Sequence, residues 1–266
     1  MAELKLMPKS LRDAEKTAVV LLSPTKEGKT MAALTLSQQL DPTWAKPQSI
    51  SDLGYITFDI DALRGPKLMG LEGIEHWYDM TDYAGEGLKV IDDALNAVAA
   101  KMVELAKEKK IVGVVWDTMT MLDENWKSYL VKSYEGWKLA DQLNARHRNF
   151  LMEKVMKIPV PQIFLMHTKR LSVDMDAARR ESLGIDDGTR SVMGLSAWDG
   201  PKLYRAQCSY IIPVKKVAVK GKPDEFLFYP RGVDGIEAGG RYGHGGAPDK
   251  MPANLRAFFG IVNGRP

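Results

Sequence analysis

The 266-residue chain carries a single cysteine, Cys208, which excludes an intrachain disulfide and any cysteine-rich metal centre. Histidine is almost as scarce: His76, His147, His167 and His244 are scattered without zinc-ligand spacing. No stretch approaches the ~18 consecutive apolar residues of a membrane-spanning helix. The opening residues lack the apolar segment of a signal peptide, because Asp13 and Glu15 interrupt it, so the expectation is a soluble, cytoplasmic protein. A strong charge bias is missing as well. Lys and Arg number 37 against 34 Asp and Glu, and a net charge of +3 permits a nucleic-acid partner without requiring one. Hydrophobic content of 45% is that of an ordinary globular protein, and no internal repeat divides the chain. The length suits one α/β unit spanning residues 1–266.

What is present begins at residue 18. An apolar run, residues 18–22, leads into Ser23-Pro-Thr-Lys-Glu-Gly-Lys-Thr30. That is the spacing of a phosphate-binding P-loop, with Ser23 where its first glycine belongs. The apolar run reads as a buried parallel strand. Gly28 lets backbone approach phosphate closely, Lys29 would neutralise the β- and γ-phosphates, and the Thr30 hydroxyl would ligate Mg²⁺. Residues 31–40 form a good helix, placing Met31 and the preceding amides at the phosphates. The expected nucleotide-contacting set is Ser23, Pro24, Thr25, Lys26, Glu27, Gly28, Lys29, Thr30 and Met31. Glu27 puts a carboxylate near a polyanion, so binding strength stays open.

Further along, residues 55–61 read as a second strand ending in Asp59 and Asp61, and residues 62–88 as a long loop rich in glycine and aromatics. Ile91, Leu95, Val98, Met102 and Leu105 step by four and three, the stripe of an amphipathic helix. Residues 111–117 form another buried strand, residues 122–157 a helical segment interrupted at Gly136, and residues 162–167 a fourth strand. Residues 169–202, charged and glycine-containing with little periodicity, read as a mobile functional loop. Strands follow at 209–214 and 226–229, then a flexible segment at 232–250, with seven glycines by residue 246, and a closing helix within 252–262. Strands alternating with helices imply a three-layer αβα fold around a mostly parallel sheet.

In such sheets ligands bind at the carboxyl ends of the strands. Asp117 ends an apolar strand, the pattern of an acid that holds Mg²⁺ through water. Its plain alternative is a helix cap. Asp61 is the preferred base for the attacking water, against the reading of a solvated turn. His167, at the end of the fourth strand, can sense the γ-phosphate and pass that state to the loop after it. Lys215, Lys216, Lys220 and Lys222 between two strands, and Arg170, Arg179, Arg180 and Arg190 in the loop, would contact DNA phosphates or a neighbouring subunit's nucleotide. A solvated charged surface is the commoner outcome for such residues.

The succession Ser23-Pro-Thr-Lys-Glu-Gly-Lys-Thr30, Phe58-Asp-Ile-Asp61, Val114-Val-Trp-Asp-Thr-Met-Thr-Met-Leu122 and Ile163-Phe-Leu-Met-His167 resembles the RecA-like ATPase core. It is similar above all to small phage nucleotide-binding proteins that include RecA-related single-strand-annealing recombinases. The resemblance implies an ATP- and Mg²⁺-dependent protein that self-associates into a ring or filament. It also implies action on single-stranded DNA in recombination or replication, alongside a single-strand-binding protein, with phage origin placing it in the host cytoplasm. In that family the catalytic carboxylate after the second strand is usually glutamate, and Asp61 takes its place here; His167 stands where glutamine is common. A nucleotide-binding structural or regulatory protein with little turnover is the alternative, and Ser23, Glu27 and the shortened Asp61 carboxylate favour it.

Overall fold

Strand β1 (Ala18–Ser23) is buried along its entire length because its two faces serve two cores. Ala18, Val20 and Leu22 point into one and Val19 and Leu21 into the other. This is the continuous apolar run of a strand covered on both sides. The computed structural model describes residues 17–24, 26–41, 46–170, 196–198, 204, 207–218, 224–233, 238 and 245–263.

The central sheet has nine strands. Besides β1 they are β2 (Gln48–Thr57), β3 (Leu71–Asp79), β4 (Gly113–Asp117), β5 (Gln162–Arg170), β6 (Ser196–Trp198), β7 (Tyr210–Val217), β8 (Glu225–Phe228) and β9 (Met251–Pro252). Their order is β3-β2-β4-β5-β1-β7-β8-β9, with β6 beside β5. The pairs from β3 across to β7 are parallel, whereas β6, β8 and β9 pair antiparallel. The architecture is three-layer αβα around a mostly parallel sheet, as the alternation of strands and helices implies.

Helices α1 (Lys29–Leu34) and α6 (Leu255–Val262) cover one face, where Leu34, Leu255 and Phe258 join the core of Val19 and Leu21. The opposite face carries α3 (Leu88–Lys107) and α4 (Met119–Leu130), which bury Ile91, Leu95, Met102, Leu122 and Trp126. The stripe read from the sequence is the buried face of α3. After α4 the chain turns at Gly136, whose φ of 55° suits glycine, into α5 (Gly136–Asn149). A π-helical turn, Phe150–Lys154, follows.

Four expectations need correction. The helix over 31–40 is only α1: Thr35 Oγ1 donates to Ala32 O at 2.6 Å, a local bond that competes with helix continuation, and Ser37 Oγ donates to Asp52 Oδ1 of β2 at 2.5 Å. Residues 62–88 are not one loop: a short helix α2 (Arg64–Leu68) and strand β3 lie within them. Strand β2 begins at Gln48 and ends at Thr57, leaving Asp59 and Asp61 in the turn beyond it. Within 169–202, β5 continues to Arg170 and pairs with β6, Thr168 opposite Trp198. Thr25, Arg179, Arg180, Arg190, Lys220 and Lys222 lie outside the described residues, as does much of 232–250.

The α4–α5 pair is fastened to the core by a buried histidine. His147 Nε2 faces Asp123 Oδ1 at 2.8 Å and Nδ1 faces the Tyr204 hydroxyl at 3.2 Å, with the Trp126 ring edge-on at 4.8 Å. Burial holds its basicity below the ordinary histidine value, against the pull of Asp123. The folded state therefore resists a proton that the unfolded chain accepts below about pH 6.5. The His147 contribution to stability should be flat above that pH and fall as pH drops from there toward the lower folded value. Urea midpoints at about pH 7.5 and 5.5 should differ in the wild type and differ less in His147→Gln.

Candidate nucleotide site

Four strand ends build the site. β1 delivers Ser23, β4 delivers Asp117, β2 leads through Thr57 to Asp59, and His167 of β5 lies opposite Ser23 in parallel register. Pro24 and residues 26–28 lie between β1 and α1. Gly28 caps α1 with a φ of 87° and accepts the Ala32 amide at 2.9 Å. A side chain at Gly28 would also strike the Phe226 ring, at 2.1 Å from Cδ1. Both the backbone and the neighbour demand glycine there.

Asp117 is the centre of the arrangement. Fully buried at the end of β4, its Oδ2 accepts from Thr30 Oγ1 at 2.8 Å and from the Tyr55 hydroxyl at 2.5 Å. Burial pushes its carboxyl up from the ordinary range, while the Tyr55 and Thr30 hydroxyls and the Lys29 charge oppose that shift. Tyr55 titrates well above an ordinary tyrosine, chiefly through its own burial and then through the adjacent Asp117, so it stays a donor.

Lys29 is folded inward. Its ammonium donates to Ser23 O at 3.0 Å, Ser23 Oγ at 3.0 Å and Pro24 O at 2.8 Å. Burial lowers its pKa to about 8, although Asp117, Glu27 and Asp59 draw it upward. Asp59 thus acts on Lys29, and likewise on Asp117 and Tyr55. Asp61 is exposed and tied through its amide to Asp59 Oδ1 at 3.1 Å. Asp59, by contrast, is half-buried.

Lys26, Gly28, Lys29, Thr30, Met31, Asp59, Asp61, Asp117 and His167 all border one cleft of about 560 Å³, together with Arg64, Lys216 and Phe226. The His167 amide donates to Thr120 Oγ1 at 3.0 Å, fixing its backbone against the start of α4. The plain reading of Asp117 as a helix cap does not hold, since Thr118 caps α4 by accepting the Met121 amide.

Two features escaped sequence reasoning. Glu27 does not confront the cleft alone: its Oε2 accepts the Lys216 amide at 2.8 Å, holding β7 to the loop. Phe226, across from Lys216 in β8, completes that contact against Gly28. Lys216 pairs with Asp224 at 2.5 Å and borders its own chain's cleft. Lys215 lies next to it on β7, and the Arg170 side chain is outside the described residues. No local signal ties residues 27 and 28 to 216 and 226. For Tyr55 there was one: a hydroxyl in an apolar strand, two residues before the acid-bearing level.

No protein-family model matches the chain, and no curated protein sequence matches it. Among solved structures it is similar to the RadB recombinase, at 14% identity and a TM-score of 0.38, over 81% of this chain and 80% of that one. It is also similar to a prototypical ATPase from the type III secretion system of pathogenic bacteria. There the identity is 10% and the TM-score 0.44, over 77% of this chain and 55% of that ATPase, so the chain spans about half its length. At these scores neither likeness bears on the chemistry of the site.

The donor set itself does. Thr30 and Asp117 offer hard oxygens side by side, the ligand type that Mg²⁺ prefers, and Lys29 supplies a cation one residue from Thr30. Among the described residues no cluster of three or more His, Cys, Asp or Glu forms an all-protein metal site. That suits a metal that keeps waters and takes other ligands from phosphate.

Tyr55→Phe removes one of two donors from a buried carboxylate and should cost about 1.5–3 kcal/mol, read by urea unfolding at neutral pH. In an Asp117→Asn background the same change should cost less, because the charge it served is gone.

Proposed function

We propose that the chain is a RecA-like P-loop protein that binds ATP with Mg²⁺. One observation carries this reading: Lys29 and Thr30 of α1, Asp117 of β4 and Asp59 after β2 converge on one cleft at the carboxyl ends of β1, β4 and β2. Backbone amides of residues 26–30 and the Lys29 ammonium would hold the phosphates, and Thr30 and Asp117 would hold the metal. The metal would supply charge neutralisation at the β- and γ-phosphates.

For hydrolysis, Asp59 and Asp61 are the carboxylates that can orient water beside the phosphates. Asp59 is favoured by its electrostatic reach to Lys29 and Asp117. His167 borders the same cleft and leads directly into the β5–β6 pair, a route from nucleotide state to residues 169–202. The reading of a nucleotide-binding regulatory protein with little turnover has its own support: Ser23 and Pro24 occupy all three donors of Lys29.

Single-stranded DNA is the partner we propose, in annealing or strand exchange by an oligomer of the phage recombinase kind. The support is an exposed corner between α4 and α5. Trp137 there is 74% exposed, with Tyr134 beside it in sequence. Lys138 Nζ lies 5.9 Å from the Trp137 ring centroid. Tyr129 pins the corner, donating to Ala84 O at 2.8 Å and accepting the Gly87 amide at 3.1 Å. An exposed aromatic beside a lysine offers a stacking platform for unpaired bases.

Two measurements test this. Titration with Mg-ATP should show binding that Lys29→Ala abolishes. ATPase assays with and without oligo-dT should show stimulation by DNA, and Asp59→Asn should lower the rate at least ten-fold while Asp61→Asn lowers it less. Wild type that binds ATP without measurable turnover would leave the regulatory reading standing. Separately, fluorescence anisotropy with labelled oligo-dT should show Trp137→Ala weakening binding about ten-fold. Unchanged affinity would remove the α4–α5 corner from the DNA surface.

A further inference from the structure

Position 23 is where a P-loop normally has no side chain, and here that side chain is wholly buried against the loop's own lysine. Ser23 Oγ accepts from Lys29 Nζ at 3.0 Å and donates to Pro24 O at 2.9 Å. Pro24 O accepts from Lys29 as well, at 2.8 Å. The three groups form a closed ring of hydrogen bonds in which each partner restrains the other two. A glycine would leave Lys29 only the two carbonyls.

We propose that Ser23 is a positioning residue whose hydroxyl competes with phosphate for the Lys29 ammonium. This inference rests on the nucleotide reading given above. An ammonium has three donors, and all three are engaged within the loop. To meet a β- or γ-phosphate the lysine exchanges at least one of these bonds for a phosphate oxygen. The hydroxyl is the acceptor that the usual loop lacks, so it adds to what must be given up. It also releases its own hold on Pro24 O when it rotates away, which couples the lysine's swing to the backbone at the start of the loop. The serine thereby sets how readily the site accepts nucleotides with a β-phosphate, and leaves untouched any interaction with the base or sugar.

The test is a set of calorimetric titrations of the full chain with Mg-ATP, Mg-ADP and AMP. Ser23→Ala and Ser23→Gly should tighten ATP and ADP binding about five-fold, the worth of one net hydrogen bond. AMP affinity should stay the same, because it lacks the phosphates that Lys29 serves. Ser23→Thr, which keeps the hydroxyl, should behave as wild type. Melting temperatures of each variant establish that it is folded. Unchanged or weaker ATP affinity in the alanine and glycine variants, with wild type binding normally, would overturn the role of Ser23 alone. An equal gain for AMP would overturn it too, marking a loosened loop. Wild type that fails to bind Mg-ATP at all would instead bring down the nucleotide reading, and this inference with it.

Discussion

A buried carboxylate holds the site together. Asp117 sits at the end of β4 with no solvent contact, and its charge is tolerable only because Thr30 and Tyr55 donate to the same oxygen while Lys29 lies near. Those three partners come from α1 and β2, so satisfying one charge fixes the P-loop helix and the second strand to the fourth. An unpaired buried carboxylate costs several kcal/mol, more than any exposed ion pair of this chain returns. The register of the strand ends follows: Thr57 stands beside Asp117 in the β2–β4 ladder, which puts the following Asp59 turn at the mouth of the cleft. Geometry that looks built for a ligand is thus also what the core needs.

The irregular letters of the loop have a structural logic as well. Glu27 would repel a polyanion if it pointed into the cleft, but its carboxylate is engaged by the Lys216 amide. Phe226 then packs on Gly28, so the β7–β8 hairpin backs the loop from outside. Ser23 is directed the other way, inward to Lys29. Ser23, which departs from the motif, and Glu27, at a position the motif leaves open, therefore act in opposite places: Glu27 braces the loop and Ser23 engages its lysine.

The parallel strands were legible because burial on both faces leaves long apolar runs, and α3 because its stripe is regular over twenty residues. The edge strand β3 was not. Its residues Glu72, Glu75 and Asp79 and its glycine mimic a loop, and what makes it a strand is pairing with β2, a partner 20 or so residues away. The end of α1 was missed because Thr35 and Ser37 are unremarkable helix residues until Ala32 O and Asp52 come within their reach. At the site, Lys29, Thr30 and Asp117 were readable from spacing. The turn that carries Asp59 and Asp61 was not, since it depends on Thr57 Oγ1 donating to Asp59 O and accepting its amide, which curls the chain and leaves Asp61 exposed at the rim of the cleft that both acids border.

That turn has a wider consequence for how the cleft can respond to what it holds. Asp59 is constrained at its backbone by Thr57 and at its side chain by the Asp61 amide, and α2 begins within a few residues, with Arg64 bonding back to Asp61 O at 3.0 Å. Arg64 and Leu68 of α2 line the same cleft, and α2 packs against α1. Hydrogen bonds therefore run from the Asp59 turn to α2 and its exposed Leu68, whereas on the other wall His167 leads straight into the β5–β6 pair. Two walls of one cleft each lead outward through a rigid, hydrogen-bonded segment.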